Sequence, residues 1–203
     1  HALFRQFLTT KALAVLGEKE VLKTKHHAAM LLAEAGWVED AACLLIEIGD
    51  LAGLERLIRN SAMTLIGQGR HMTLENWLGP LPADRLAAHP WLLYWWGVAG
   101  QYRAPREARQ RFIAALKAFP PRSDEGGRWL AWAGIVESIV NEWHDFSALD
   151  PWIDWLEERT RSGAVYPSQE IEARVAVAMS VIACRNGRRS RVPMPKPKPN
   201  GRN

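Results

Sequence analysis

The sequence predicts an all-α protein made of antiparallel helical hairpins packed side by side. Apolar residues recur at the three- and four-residue spacing of an amphipathic helix through most of the 203 residues. Gly and Pro residues divide these stretches at the points where helices begin or end. No segment shows the alternation of apolar and polar residues that marks a half-buried β-strand.

The clearest hairpin lies between His89 and Pro120. Pro90 and Pro105 each suit the first turn of a helix, where the missing N–H would have no partner, and Pro120 ends the second helix. That second helix places four residues on one face: Ala108, Phe112, Ala115 and Phe119. Such spacing is typical of the second helix of a tetratricopeptide unit, in which a small residue lets two helices approach and an aromatic residue fills the gap to the next pair. We therefore predict that the hairpins stack as a tetratricopeptide-like right-handed superhelix.

The remaining helices follow the same pattern of apolar stripes and glycine stops. The predicted helices before the hairpin are 2–16, 18–35, 38–48, 51–66, 71–78 and 83–88, and those after it are 128–143, 146–159 and 169–184. Gly49 is expected just past a helix end, with Asp50 as the N-cap of the next helix and Ser168 as the N-cap of the last. Asp150 precedes a proline and is expected to cap the helix proper in 146–159. Residues 123–127 are expected to form a polar loop.

The small and aromatic positions of the hairpin recur elsewhere in the chain. Ala41, Leu45 and Ile48 take the places of Ala108, Phe112 and Ala115, as do Ala148, Trp152 and Trp155 further on. The match is degenerate, but it supports a repeat of about 30–40 residues per helix pair and about eight to ten helices in all. We assign residues 18–184 to this repeat domain.

The charge distribution separates a body from a tail. The chain carries 26 basic and 22 acidic residues, a net charge of +4. Seven basic residues and no acidic residue follow residue 184, so residues 1–184 hold 19 basic residues against 22 acidic ones. A slightly acidic body does not fit a nucleic-acid-binding surface, which needs basic residues to neutralise phosphates. Residues 185–203, where prolines alternate with other residues, are expected to form a basic, disordered tail.

Cysteine use and hydropathy indicate a cytoplasmic protein. Cys43 and Cys184 both lie in apolar helical contexts and are predicted to be reduced core thiols. No signal peptide is visible, and the most apolar segment, 28–48, contains four acidic residues, so we expect no membrane span. The spacing of most of the 10 Trp residues is that of a core between helices, with a ligand-stacking platform as the alternative. Trp91 and Tyr94 are the best candidates for partial exposure.

No motif predicts a reaction, a metal or a cofactor. The pair His26-His27 has no second pair to complete a ligand set, so we expect no metal site there. The acidic residues between Glu137 and Glu158 are more typical of a solvated helix face than of a glycosidase pair. We therefore expect a protein that is not an enzyme.

Polar residues on the first helix of each hairpin predict a binding groove. Counting back from Ala41, Ala108 and Ala148 places seven residues on the concave side: Lys23, His26, His27, Tyr94, Gln101, Glu137 and Asn141. Polar side chains on otherwise apolar helices fit a groove that takes a partner or a small ligand. Solvation of an empty groove explains them equally well.

The order of motifs along the chain adds a resemblance. The start, residues 1–8, is followed by Gly49-Asp50-Leu51, and then by the run from Thr73 to Pro82, which reads Thr-Leu-Glu-Asn-Trp-Leu-Gly-Pro-Leu-Pro. Pro90-Trp91-Leu92 and Arg106-Glu107-Ala108 come next. This succession resembles the linker and helical superhelix of MalT-like, LuxR-type ATP-dependent transcriptional regulators, clearly over residues 1–120 and loosely over 121–184.

The resemblance implies a sensor module of a cytoplasmic regulator, which would bind a partner protein or a small-molecule inducer. It also implies that residues 1–17 are the end of a winged-helix segment or a linker helix. The chain begins at His1 in the middle of a pattern, so we expect a fragment of a longer protein. No Gly-x-x-x-x-Gly-Lys-Ser/Thr run is present, so the family's ATPase activity is not carried over. A stand-alone adaptor that holds a peptide is the alternative, and self-association stays open.

Overall fold

A computed structural model describes residues 2–121, 123–142 and 146–186, and within these ranges the chain is all-helical. The first helices are α1 Ala2–Leu16, α2 Glu18–Glu34, α3 Val38–Glu47, α4 Leu51–Gly67, α5 His71–Leu78 and α6 Ala83–Ala88. The later ones are α7 Pro90–Gly100, α8 Pro105–Ala118, α9 Glu125–Glu142, α10 Asp150–Arg161 and α11 Gln169–Asn186, with a 3₁₀ turn at Ser147–Leu149. The predicted all-α class is confirmed.

The predicted caps explain why most helix bounds agree with the sequence pattern. Gly49 has a positive φ of 69°, and the Asp50 carboxylate accepts a hydrogen bond from the Gly53 N–H at 2.9 Å, so one helix ends and the next begins there as expected. The Ser168 hydroxyl likewise accepts from the Ile171 N–H at 3.4 Å.

Two predicted boundaries are wrong. Helix α9 begins at Glu125 rather than at residue 128, because the Asp124 carboxylate accepts a hydrogen bond from the Gly127 N–H at 2.9 Å and caps a turn predicted to be a loop. Asp150 is the first residue of α10 and not its cap, since Leu149 holds the N-cap position.

The helices pack as successive hairpins. Helix α8 packs against both α7 and α9, and α7 also contacts α9, so three consecutive helices touch one another. Helix α11 packs on α9, while α4 and α5 pack on α7. This arrangement, in which each hairpin contacts the next, is consistent with a helical-repeat superhelix.

Side-chain bonds between hairpins follow the same repeat. Arg103 in the turn after α7 bonds to Glu75 on α5 across 28 residues, and Arg106 on α8 bonds to Glu142 on α9 across 36 residues. The Trp91 indole N–H donates to the Asp124 carboxylate at 2.8 Å across 33 residues. These separations lie close to the predicted length of one helix pair.

Most of the described tryptophans belong to the core, as predicted. Trp129 and Trp132 are fully buried, and Trp152 and Trp155 pack against them with partial exposure. Trp91 is half-buried, but the expected partial exposure of Tyr94 is wrong, since only 7% of this residue is exposed. Its ring lies against Trp91, Trp95 and Phe112, with centroids 5.0–5.8 Å apart.

Other burial predictions fail near the N-terminus. Cys43 is exposed, because the faces of α3 that pack on neighbours carry Ala41, Ala42 and Leu45 instead, so it is not a core thiol. The Cys184 side chain, Trp143 and the tail beyond residue 186 lie outside the described residues. The helices that the structure describes include none that is long and apolar enough to cross a membrane.

Candidate functional site

Two polar side chains of neighbouring helices pair with each other, and the hydroxyl of a third lies within reach of their charges. Arg174 of α11 donates through Nη2 to Oε2 of Glu137 on α9 at 2.6 Å. Tyr94 of α7 lies close enough that the charges of both residues act on its hydroxyl. We call this set, Tyr94, Glu137 and Arg174, the polar triad.

Burial sets the protonation of the triad. Burial raises the pKa of Glu137 above its ordinary value, and the Arg174 guanidinium acts in the opposite direction. For Tyr94, burial raises the pKa to about 12, while Arg174 lowers it and Glu137 raises it. Tyr94 is therefore a neutral phenol at physiological pH, next to a carboxylate of which only 15% of the side chain is exposed.

The triad contains an acceptor without a partner. Oε1 of Glu137 is buried and receives no hydrogen bond, and the same holds for Oε1 of Gln101 on the turn that follows α7. Gln101 lies seven residues after Tyr94, two helical turns further along the same face. Buried acceptors without partners are rare, and a ligand group with N–H or O–H donors would satisfy them.

The structure divides the predicted groove residues into two sets. Tyr94 and Glu137 come together in the triad, and Asn141 lies one turn beyond Glu137, half-buried. The other set lies on α2, which packs against α1 and α3.

The α2 residues have local interactions. Lys23 pairs with Glu20 at 3.2 Å and is exposed. The His26 Nδ1 lies 2.8 Å from the Asp50 carboxylate, and His27 is exposed. These three residues therefore face solvent or a neighbouring loop, whereas Tyr94 and the Glu137 side chain are largely buried among apolar helices.

Sequence reasoning missed Arg174. Its signal was a cation inside the apolar stripe of α11, next to Val175 and Ala178, which are fully buried. Pairing it with Glu137, 37 residues earlier, requires knowing that α11 packs on α9.

A separate surface cleft of about 220 Å³ lies at the turn between α2 and α3. It is lined by residues 35–40 and Arg70, and the side chain of Arg70 pairs with Glu39. None of the predicted groove residues lines it.

Comparisons with protein-family models, curated proteins and solved structures found no match for this chain.

Proposed function

We propose that this chain is a helical-repeat interaction module that binds a partner protein or a small inducer at the polar triad. The observation that carries the proposal is the buried, unpartnered Oε1 of Glu137, held between α7 and α11 by residues of three hairpins. Burying most of a carboxylate costs folding free energy, and the one hydrogen bond from Arg174 leaves Oε1 without compensation. Binding a donor group of a ligand supplies that compensation.

The triad also indicates the ligand's polarity. The free acceptors of Glu137 and Gln101 call for a group with N–H or O–H donors, such as an amine, an amide or a sugar hydroxyl. The Arg174 side chain is 39% exposed and can offer its remaining N–H groups to an acceptor on the same ligand.

Ligand-dependent thermal unfolding tests this proposal. The wild type and Glu137→Gln would be screened against amines, amino acids, oligosaccharides and short peptides, and hits would be titrated by calorimetry. We expect a saturable rise in melting temperature for the wild type that Glu137→Gln loses, because the amide replaces the free acceptor by a donor. Glu157→Gln, at an exposed carboxylate on α10, is the matched control and should respond like the wild type.

A screen and titrations without any response would count against the proposal, as would a ligand that binds Glu137→Gln with unchanged affinity.

The regulator context is a second part of the same proposal and rests on the motif order alone. We propose that the module is the sensor arm of a MalT-like, LuxR-type cytoplasmic regulator. Sequencing the DNA on both sides of the coding segment tests it: a P-loop upstream and a helix-turn-helix downstream in the same reading frame are expected. A start codon just before His1 and a stop codon after Asn203 would instead favour a stand-alone adaptor that binds a peptide.

A further inference from the structure

A second group of buried polar side chains lies apart from the triad, where α9 begins and α10 ends. It consists of five residues connected through the rings of two tryptophans, which we call the arginine–tryptophan cluster: Arg128, Trp129, Trp155, Arg159 and Tyr166. The ring of Trp129 lies 5.4 Å from that of Trp155 and 5.0 Å from that of Tyr166, between centroids. The Arg159 guanidinium lies 5.4 Å from the Trp155 ring and 5.8 Å from the Trp129 ring. Arg128 completes the group, 6.0 Å from the Trp155 ring.

Four of these five residues carry a buried atom without a hydrogen-bond partner. The atoms are Nε of Arg128, Nε1 of Trp129, Nε of Arg159 and the hydroxyl oxygen of Tyr166. Trp129 is fully buried and Tyr166 is 3% exposed, so bulk water does not reach them. All four groups can donate a hydrogen bond. Buried polar groups are nearly always paired, and four unpaired donors on contacting side chains indicate that something with acceptors belongs there.

The charges around the cluster favour an anion. Of the two guanidinium groups, Arg159 pairs with the Glu125 carboxylate, whereas Arg128 donates to the Phe119 carbonyl oxygen at 3.4 Å and forms no ion pair within the described residues. The Glu172 carboxylate also acts on the cluster, through Tyr166. The pKa of Arg128 is lowered by burial first and by the nearby Arg159 second, with Glu125 opposing both. The cluster also lies at the N-terminus of α9, an 18-residue helix whose dipole favours negative charge at that end, and the Asp124 carboxylate already caps its first turn.

Tyr166 keeps its phenolic proton at neutral pH and can donate it in a hydrogen bond. Burial raises its pKa to about 12, and the Glu172 carboxylate adds to the rise. An ionised phenol would repel an anion, whereas the neutral hydroxyl can bind one.

We propose that the arginine–tryptophan cluster binds an oxyanion. This oxyanion is a carboxylate or phosphate group, carried by a small molecule or by a larger ligand that enters from the surface. The cluster is accessible at its rim, because the side chains of Arg159 and Glu125 are 19% and 29% exposed. An oxyanion has several lone pairs and forms strong, charge-assisted hydrogen bonds with guanidinium groups, so it can satisfy donors that a single water cannot.

Thermal unfolding of the full chain in different salts tests the proposal. Inorganic phosphate and acetate would each be titrated against sodium chloride at equal ionic strength, so that general screening cancels. We expect a saturable rise in melting temperature with at least one of the two anions. A response to phosphate alone identifies a phosphate group as the ligand, and a response to acetate identifies a carboxylate.

Two variants place the response at the cluster. Tyr166→Phe removes one donor and keeps the ring, so we expect the anion to bind about 10- to 100-fold more weakly. Without anion its melting temperature should equal or exceed that of the wild type, since an unpaired buried hydroxyl is lost. Tyr102→Phe, at a tyrosine that is 72% exposed, is the matched control and should bind like the wild type.

Arg128→Lys, which removes the unpaired Nε and keeps the charge, serves as the second variant and should also weaken binding. Identical melting curves of the wild type in all three salts would overturn the proposal. A response that persists unchanged in Tyr166→Phe and Arg128→Lys would mean an adventitious ion only, and would overturn it too.

Discussion

The ring of Phe112 lies between two glycines on neighbouring helices, and this contact gives the sharpest test of the fold. A Cβ atom added at Gly97 on α7 would lie 2.6 Å from Cε1 of Phe112, and one added at Gly134 on α9 would lie 2.7 Å from the same atom. Phe112 itself is fully buried on α8. The ring therefore cannot move away from a new methyl on one side without approaching the helix on the other.

The expected effect of Gly97→Ala is the difference between two terms. Overpacking a well-packed core costs about 1–3 kcal/mol of the free energy of unfolding. Replacing Gly by Ala inside a helix raises the free energy of unfolding by about 1 kcal/mol, because Ala has the higher helix propensity. We therefore expect a net destabilisation of up to about 2 kcal/mol, and a double Gly97→Ala/Gly134→Ala variant that loses more than the sum, because both methyls crowd one ring.

Chemical denaturation followed by far-ultraviolet circular dichroism and tryptophan fluorescence measures these changes. Gly67→Ala is the matched control: Gly67 is the last residue of α4, it is exposed, and a Cβ there would meet nothing within 4 Å. The control should be stabilised by up to about 1 kcal/mol, so the two glycine variants should differ by the overpacking cost of about 1–3 kcal/mol.

A change of background separates crowding from other causes. In Phe112→Leu the ring is gone, so Gly97→Ala should become neutral or stabilising there, by up to about 1 kcal/mol. If Gly97→Ala stabilised the wild type as much as the Gly67→Ala control does, the packing of α8 between α7 and α9 would have to be rejected. An equal loss in both backgrounds would show that crowding against Phe112 is not the cause.

Four further predictions concern single side chains. Burial raises the pKa of Glu137 above 4.5, so the folded state holds this proton more tightly than the unfolded state does. The wild type should therefore lose stability relative to Glu137→Gln as the pH rises from 4.5 through the pKa of the folded state. Hydrogen bonds from Arg106 and Arg109 lower the pKa of Glu142 below 4.5. The wild type should therefore lose stability relative to Glu142→Gln as the pH falls below 4.5. Chemical denaturation at a series of pH values measures the Glu137 and the Glu142 effects. Asp124→Ala should lower the free energy of unfolding by about 1–2 kcal/mol through the lost helix cap and by about 1 kcal/mol through the lost bond to Trp91. Asp124→Asn keeps the cap and should lose less. Equal melting temperatures of the two variants would contradict this prediction. Cys43 is exposed, so a thiol reagent should label it in the native protein, and Cys43→Ser should remove that signal.

Most helix bounds could be predicted from the sequence, because the residues that begin or end a helix lie next to that helix end. Asp50 and Ser168 cap their helices as predicted, since a capping side chain bonds to a backbone group within three residues of itself. Asp124 was missed for a local reason too: two glycines follow Glu125, and glycine lowers the helix propensity of the first turn. The carboxylate cap overrides that low propensity.

The burial of individual side chains was harder to predict from the sequence, because it depends on which helices pack against each other. Cys43 lies in an apolar helical context, yet it is exposed, since its helix packs on its neighbours through other faces. The packing role of Gly97 and Gly134 was hidden for the same reason: whether a side chain of another helix approaches a helical glycine depends on the packing, and here that side chain is Phe112.

Two of the three residues of the polar triad could be predicted from the sequence. Tyr94 and Glu137 stood out as polar positions on apolar helices, and the structure brings them together. Their partner Arg174 could not be assigned, because the pairing spans 37 residues and is fixed only by the stacking of α11 on α9. Lys23, His26 and His27 occupy the corresponding places in an earlier hairpin that has no such stacking on α7 or α9, so equal repeat positions do not imply one continuous site.

The position of the triad within the array suggests how binding could be transmitted. In a repeat protein, stability is roughly a sum of hairpin stabilities and contacts between neighbours, so each interface opens or closes with its own free energy. The Arg174–Glu137 bond lies in the interface of α11 with α9, and the charge of the buried carboxylate weakens that interface. A ligand that donates hydrogen bonds to Glu137 removes this penalty and therefore tightens the docking of α11. Hydrogen exchange should then show protection that increases in α11 and α9 on binding and stays constant in α3, whereas uniform protection along the chain would mean that the ligand acts only on global stability.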